Sequence, residues 1–203
     1  MPITKTSVLL RSAPVIAVGV LLPSLAYAHT GDHLDGFMHG LAHPAGGLDH
    51  LCAMLAVGLW AAQAGGRSMW AVPLTFVSVM VLGGALPTLG ISLPFVEQGI
   101  VLSVLLLGVL VAASIRLPIW LASSMIGLFA LWHGHAHGAE MPALTSGMPY
   151  ALGFVLATMS LHAAGIAFGL GMQRQGALLK ARERFVRLAG TGIALCGAYL
   201  AVA

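Results

Sequence analysis

Residue types that bind transition metals occur in two groups, and the first lies at the start of an apolar stretch. It comprises His43, Asp49, His50 and Met54. On a helix His50 and Met54, four positions apart, share one face. The carboxylate of Asp49 can neutralise a cation or orient a neighbouring imidazole. This spacing predicts a set of metal ligands at one end of a helix.

The second group ends another apolar stretch, in the segment His133-Gly134-His135-Ala136-His137-Gly138-Ala139-Glu140. On a helix His133, His137 and Glu140 lie on one stripe, so two imidazoles and a carboxylate can converge on a single ion. With a rise of about 1.5 Å per residue, both groups lie one or two turns below the same membrane surface. We therefore expect them to form one site, provided that their helices are neighbours.

A third pair, Met159 and His162, lies three positions apart in a later apolar stretch. Ionisable residues inside membrane segments are costly and by default mark a pathway or a site. We interpret the pair as a second metal station. The alternative is a structural His162 that donates a hydrogen bond across a helix interface.

The ligand types indicate which metals are candidates. Imidazole with carboxylate suits Ni(II), Co(II), Zn(II) or Cu(II), whereas Mg(II) and Ca(II) call for oxygen ligands alone. Cys52 and Cys196 lack C-x-x-C spacing, which indicates neither a thiolate zinc site nor a disulfide framework. We interpret the two thiols as spectators.

The elements that must position these residues are membrane helices. Of 203 residues 59% are hydrophobic and 7% charged, and the mean hydropathy of the whole chain is +0.96. This composition is far from that of soluble domains. A helix needs about 20 apolar residues to cross a bilayer, and we predict an all-α integral membrane protein with six such spans. These are residues 46–64, 69–89, 98–115, 118–136, 147–172 and 186–202.

The N-terminus has the pattern of a signal peptide. Lys5 and Arg11 precede an apolar run, and Ala26-Tyr27-Ala28 fits a cleavage site. We predict a signal peptide over residues 1–28, a periplasmic segment over 29–45 and a six-helix permease domain over 46–203, which gives seven hydrophobic segments in the precursor. An uncleaved first helix is the alternative.

The basic residues orient the bundle. All those after residue 28 fall in loops on one side of the predicted spans or at their edge: Arg67, Arg116, Arg174, Lys180, Arg182, Arg184 and Arg187. Because loops retained in the cytoplasm are rich in Lys and Arg, we place both mature termini in the periplasm and the protein in the bacterial inner membrane. The basic residues form no single patch, so nucleic-acid binding is not supported.

The sequence resembles the HupE/UreJ family of nickel and cobalt permeases, whose genes accompany those for hydrogenase or urease. The resemblance rests on three motifs: His43-Pro44-x-x-Gly47-x-Asp49-His50-x-x-x-Met54-x-x-Val57-Gly58, Phe129-Ala130-x-x-His133-Gly134-x-Ala136-His137-Gly138-x-Glu140, and Leu161-His162-x-x-Gly165. It implies a secondary permease, not an enzyme, that imports Ni(II) from the periplasm, with Co(II) or Zn(II) as alternative ions. The expected partners are this metal ion and the lipid bilayer, with no permanently bound cofactor. A phosphate-binding loop of the G-x-x-x-x-G-K-[ST] type is absent from the sequence.

Two other functions stay open at this stage. One is an intramembrane zinc hydrolase, with His50, His133 and His137 as ligands and Asp49 or Glu140 as general base. The other is a metal sensor or accessory subunit that binds an ion without transporting it. A transporter needs polar stations along the bundle, whereas a hydrolase needs one site with a lateral opening to lipid.

Overall fold

The computed structural model describes the backbone of residues 32–141, 147–171 and 179–203, and the side chains of 36–141, 147–171 and 183–203. The predicted signal peptide and His29 lie outside these residues. In the described part all regular secondary structure is helical. The helices are α1 (Asp32–Gly46), α2 (Leu48–Ala64), α3 (Ser68–Ala85), α4 (Val96–Ala113), α5 (Ile119–Ala139), α6 (Gly147–Gly171) and α7 (Leu179–Leu200), with a 3-10 turn at Pro87–Leu89.

Helices α2 to α7 correspond one to one with the six predicted spans, and the prediction of an all-α multi-pass membrane protein is confirmed. Three segments are long and apolar enough to cross a bilayer by themselves: Ser68–Leu89, Val96–Ala113 and Gly147–Gly171. Residues Gly36–Gly46 of α1 and helix α2, bent by 83°, reach the same length and apolarity only as a pair, and would make a fourth span if they crossed the bilayer as one unit. Helix α5 carries three histidines and α7 starts with charged residues. The count of six spans therefore stays a prediction.

Helix α7 begins at Leu179 rather than at the predicted Val186. Charge in its first turns kept them out of the predicted span, yet Leu, Ala, Lys, Arg and Glu are strong helix formers. Val186 is buried, and the Arg187 side chain bonds the carbonyl of Ala112 in α4 at 2.8 Å. These contacts secure the charged part of α7 to the bundle.

Helix α1 was not predicted, because the segment over residues 29–45 is rich in glycine, histidine and acidic residues. The structure gives it a stripe of small residues that packs on α6. At Gly40 an added side chain would collide with the backbone of Tyr150, and at Gly153 with the backbone of Phe37. Glycine lets two helices approach closely where lipid supplies no hydrophobic driving force.

The same kind of contact joins the other tight helix pairs. Gly134 of α5 lies against the backbone of Met80 in α3, and Gly58 of α2 lies against that of His162 in α6. Gly108 of α4 lies against Ala194 of α7. A larger side chain at these positions would push the helices apart, so the glycines set the distance between the paired helices.

Helix α2 occupies the centre of the bundle, and most of its residues are buried. Successive helices from α2 to α7 alternate in direction. The bundle therefore has a "histidine end", formed by the start of α2, the end of α5 and the start of α6, and an "opposite end", formed by the ends of α2 and α4. Pro44 and the extended backbone of Gly47 interrupt the helix between α1 and α2 at the histidine end.

Candidate metal site

A polar cavity of about 490 Å³ opens at the histidine end. Its lining includes His39, His43, Asp49, His50, His137 and Glu140. Helix α1 supplies the first two residues, α2 the next two, and the end of α5 the last two. The cavity is suited to a cation.

The mouth of the cavity holds a group of three potential ligands. His43 Nε2 lies 3.0 Å from Glu140 Oε2, and ligand atoms of His43, His137 and Glu140 all lie within 4.8 Å of one another. Nitrogen and oxygen atoms bound to one ion at about 2.1 Å are at most about 4.2 Å apart. A small side-chain rotation would therefore let all three residues bind the same ion. This juxtaposition joins the two groups that the sequence placed at one membrane surface.

Four imidazoles, which we call the histidine series, lead inward from this mouth: His43, His137, His50 and His133. Ring centroids are 4.7 Å apart for His43 and His137, 4.2 Å for His137 and His50, and 4.8 Å for His50 and His133. The side chain of His43 is 32% exposed, whereas the other three histidines are buried, with His133 at 0%. The series connects solvent with the interior of the bundle.

Hydrogen bonds decide which ring nitrogens of the series carry a free lone pair. His50 Nδ1 donates to Asp49 Oδ1 at 2.8 Å, and the backbone amide of His50 bonds the same oxygen at 2.7 Å. A carboxylate in this position fixes the ring and leaves Nε2 as the metal-binding atom. His50 Nε2 is buried and has no hydrogen-bond partner among the described residues.

Ser103 fixes the ring of His133 as Asp49 fixes that of His50. Its hydroxyl donates to the carbonyl of Ile100 at 2.6 Å, so that its oxygen accepts from His133 Nε2 at 2.9 Å. The lone pair of His133 is then on Nδ1, which is buried without a partner. Both ring nitrogens of His137 are also buried without partners. Buried polar atoms are almost always bonded, so this set fits a site that awaits a ligand.

One aromatic ring separates the series from the deeper histidine. Phe76 of α3 is fully buried, and its ring centroid lies 5.6 Å from that of His133 and 5.1 Å from that of His162. His162 is 2% exposed, with neither ring nitrogen hydrogen-bonded to any described residue. The structural alternative for His162, a hydrogen bond across a helix interface, has no partner among the described residues.

The two predicted methionine ligands differ in their burial. Met159 is 48% exposed, on the outer face of α6, so the structure does not bring it to His162. Met54 is fully buried in the apolar core. The spacing placed Met159 beside His162 along the helix, but not on its inward face.

His135 differs from the other histidines of α5. Its Nε2 accepts a hydrogen bond from the backbone amide of Leu93 at 3.1 Å and lies 3.2 Å from the carbonyl of Ile91. This side chain holds the α3–α4 connection against α5, away from the cavity.

Three residues around the site were missed by the sequence analysis. They are His39 in the cavity lining, Phe76 between the histidines, and Ser103 behind His133. The i, i+4 spacing of His39 and His43 was a usable signal for the first. Phe76 and Ser103 belong to other helices, and their roles depend on packing alone.

Taken together, the fold and site define a multi-pass helical membrane protein with a series of histidines that leads from one end into the bundle. Comparison with known proteins then identifies the family. The sequence matches the profile of the family described as HupE / UreJ protein over residues 16–200. The chain therefore belongs to the HupE/UreJ family of hydrogenase and urease accessory proteins.

A relative of known name supports this assignment. The chain is 48% identical over 181 residues to "Protein HupE" of Rhizobium leguminosarum bv. viciae, which covers 89% of this chain and 92% of the relative. No solved structure matches the chain.

Proposed function

We propose that this protein is an inner-membrane secondary permease that imports Ni(II) from the periplasm for the maturation of hydrogenase or urease. Co(II) and Zn(II) are the alternative ions, because first-row metals share these ligands. The observation that carries the proposal is the continuous histidine series, in which buried ring nitrogens without partners lead from an open cavity toward the middle of the bundle.

Each step of the proposed route has its own residues. His43, Glu140 and His137 replace part of the hydration shell of the ion at the mouth. His50, oriented by Asp49, and His133, oriented by Ser103, receive the ion next. Phe76 then has to turn aside before the ion reaches His162. The ion is thus handed between neighbouring imidazoles from the mouth to His133, and past Phe76 to His162.

The membrane potential is a sufficient driving force for this route. Moving a charge inward through a negative-inside membrane yields about 2.3 kcal/mol per charge per 100 mV, and Ni(II) carries two charges. The chain therefore needs no nucleotide hydrolysis to accumulate the ion. Coupling to protons is an alternative, because the ordinary histidine pKa of about 6.5 lets H⁺ compete with a metal.

One observation favours the rival function, an intramembrane zinc hydrolase. An apolar cavity of about 400 Å³ between α3, α5 and α6 reaches His137, and the exposed Val81 and Met148 line it. Such an opening would admit a lipid chain to a metal-bound water. A hydrolase has no use for a further buried histidine behind Phe76, however, so His162 favours transport.

Uptake of radioactive nickel into proteoliposomes that contain the purified protein tests the proposal. With an imposed negative-inside potential we expect accumulation by the native protein and by Met159→Leu, whose changed side chain lies on the outer face. We expect His50→Ala to lose accumulation. A sensor or a hydrolase would give no potential-dependent accumulation, and equal uptake by the native protein and His50→Ala would overturn the proposed route.

A further inference from the structure

The apolar cavity of about 400 Å³ between α3, α5 and α6, which we call the lateral cavity, has two long walls. One wall is a face of α3 with the turn that follows it, and the other is a face of α6. Residues at helical spacing line both walls: Val81, Ala85 and Thr88 on the first, and Met148, Ala151 and Val155 on the second. The walls run from Met80 to Thr88 and from Gly147 to Val155. At a rise of about 1.5 Å per residue, each wall is about 12 Å long.

The lateral cavity lies within the thickness of the bilayer. The segments that carry its walls, Ser68–Leu89 and Gly147–Gly171, are both long and apolar enough to span a membrane. Helix α3 packs mainly on α5, and α6 packs mainly on α1 and α2, which leaves a gap between α3 and α6. Val81 and Met148 border the cavity and are 47% and 71% exposed. The walls start at the histidine end, and their length is close to the hydrocarbon depth of one leaflet, about 15 Å.

The polar side chains of the lining are poorly placed to hold water. The hydroxyl of Thr88 already donates to the carbonyl of Ala85 at 2.7 Å. The ring nitrogens of His137 and the hydroxyl of Tyr150 are buried. An ordered water needs about two to four polar partners, so the lining favours an apolar occupant.

The size of the lateral cavity distinguishes between apolar occupants. A helix about 10 Å wide takes up about 900 Å³ over a length of 12 Å, which is more than twice the volume of the cavity. A helix of a second copy of the chain is therefore too large. An extended acyl chain is much thinner than a helix, and the bilayer around α3 and α6 supplies it.

We propose that one acyl chain of a bilayer phospholipid occupies the lateral cavity and holds His137 toward the polar cavity. His137 lines both cavities. Its ring packs on that of Phe154, which also lines the lateral cavity, with the ring centroids 3.9 Å apart. A chain behind these rings restricts their rotation and keeps the His137 nitrogens close to His43 and Glu140. The lipid site does not rest on the proposed permease function, whereas its effect on nickel transport does.

Photo-crosslinking of the full-length protein in nanodiscs tests the lipid site. The bilayer contains phosphatidylethanolamine with a diazirine in the middle of one acyl chain, and mass spectrometry maps the adducts after irradiation. We expect adducts on Met80 and Val155, which line the cavity although Met80 is only 1% exposed. Leu152 and Leu156, which are exposed on α6, report general contact with lipid. Adducts on these two leucines alone would overturn the proposal.

Two matched substitutions on α6 separate the lateral cavity from the outer surface. Ala151→Phe places a phenyl ring in the cavity, and we expect it to reduce the adducts on Met80 and Val155 several-fold. Ala164→Phe adds the same ring at an exposed position of α6, and it should keep the native pattern of adducts. Equal labelling of Met80 in both variants would overturn the proposal. A lipid-free dimer in native mass spectrometry that Ala151→Phe dissociates would also overturn it, in favour of a second copy.

The effect on the metal site is measured by equilibrium titration with nickel. Phospholipid is removed with a bile-salt detergent, which carries no long alkyl chain. We expect nickel binding by the native protein to weaken several-fold and to recover when phospholipid is returned. Ala151→Phe should be insensitive to this removal, because its ring takes the place of the acyl chain behind His137.

The outcomes separate the lipid effect from the permease function. Unchanged nickel affinity in the lipid-free native protein would refute the action of the lipid on His137. Proteoliposomes that show the expected lipid dependence of nickel binding but no nickel uptake would refute the permease function alone.

Discussion

The two ends of the bundle differ in the hydrogen bonding of their polar side chains. At the opposite end, Trp60 Nε1 donates to the carbonyl of Ile115 at 2.8 Å and Gln63 Nε2 to that of Val111 at 3.0 Å. Arg187 Nε donates to the carbonyl of Ala112. These donors bond carbonyls at and beyond the end of α4, which a helix end leaves free. At the histidine end, ring nitrogens of His50, His133 and His137 have no hydrogen-bond partner in the described part of the chain.

The difference separates stabilisation from ligand binding. A buried polar group without a partner costs about 1–3 kcal/mol, so a chain gains nothing by keeping several together unless a ligand supplies the missing bonds. Gln63 Oε1 is the one such atom that we find in the side chains of Trp60, Gln63 and Arg187. Within α5, His135 is intermediate: its Nε2 is bonded to Leu93, and its Nδ1 is buried without a partner among the described residues.

The largest expected effect comes from comparing these histidines directly. His137→Ala interrupts the series at its middle, and we expect nickel affinity and uptake to fall more than about 100-fold, beyond the usual loss from a supporting residue. His135→Ala, two positions away, should retain uptake and lower the free energy of unfolding by about 1–3 kcal/mol. Radioactive nickel uptake and thermal unfolding measure the two effects. Similar uptake losses in both variants would contradict the distinction between a metal-binding His137 and a structural His135.

Gly47 offers a way to disturb the ligands without removing one. A Cβ at this position would lie 2.5 Å from Asp49 Oδ1 and 3.3 Å from His50 Nδ1. Gly47→Ala should displace the carboxylate and weaken nickel binding by about tenfold, the lower end for such a supporting contact. At Gly46 an added Cβ meets nothing within 4 Å, so Gly46→Ala should bind nickel normally. Equal affinities in equilibrium titrations of both variants would contradict this.

A substitution of Phe76 tests whether its aromatic ring separates the two ends of the bundle. Phe76→Ala should open a gap between His133 and His162, and raise proton leakage through the protein several-fold. Phe129→Ala removes the same ring from another buried position. Both changes cost about 3–5 kcal/mol of stability, but only the first lies between the two histidines. A pH-sensitive dye inside proteoliposomes reports the leakage, and equal leakage in both variants would assign it to general loosening.

The smallest effect is expected at the opposite end. Trp60→Phe removes the hydrogen bond to Ile115 and keeps most of the ring, so we expect a loss of about 1 kcal/mol in unfolding free energy. Nickel uptake per folded molecule should be unchanged. A combined thermal unfolding and uptake measurement checks both statements, and a selective loss of uptake would show that the ends are coupled.

Much of the fold could be predicted because the relevant signals are local. Apolar length located α2 to α6 closely, although charge in the first turns of α7 hid its start. Helix α1 was missed because its packing depends on the close approach of Gly40 to Tyr150 and of Gly153 to Phe37 across α1 and α6. A sequence read one helix at a time does not reveal such a contact.

The sequence by itself determined the helical membrane class, the family and the inventory of metal-binding side chains, because residue type and apolar length need no partner. Only the tertiary structure decided that His50 meets His133 and His137, that Met159 faces outward, and that Ser103 and Asp49 orient the rings. These outcomes depend on the rotation and depth of each helix, which are fixed by contacts between residues far apart in the chain.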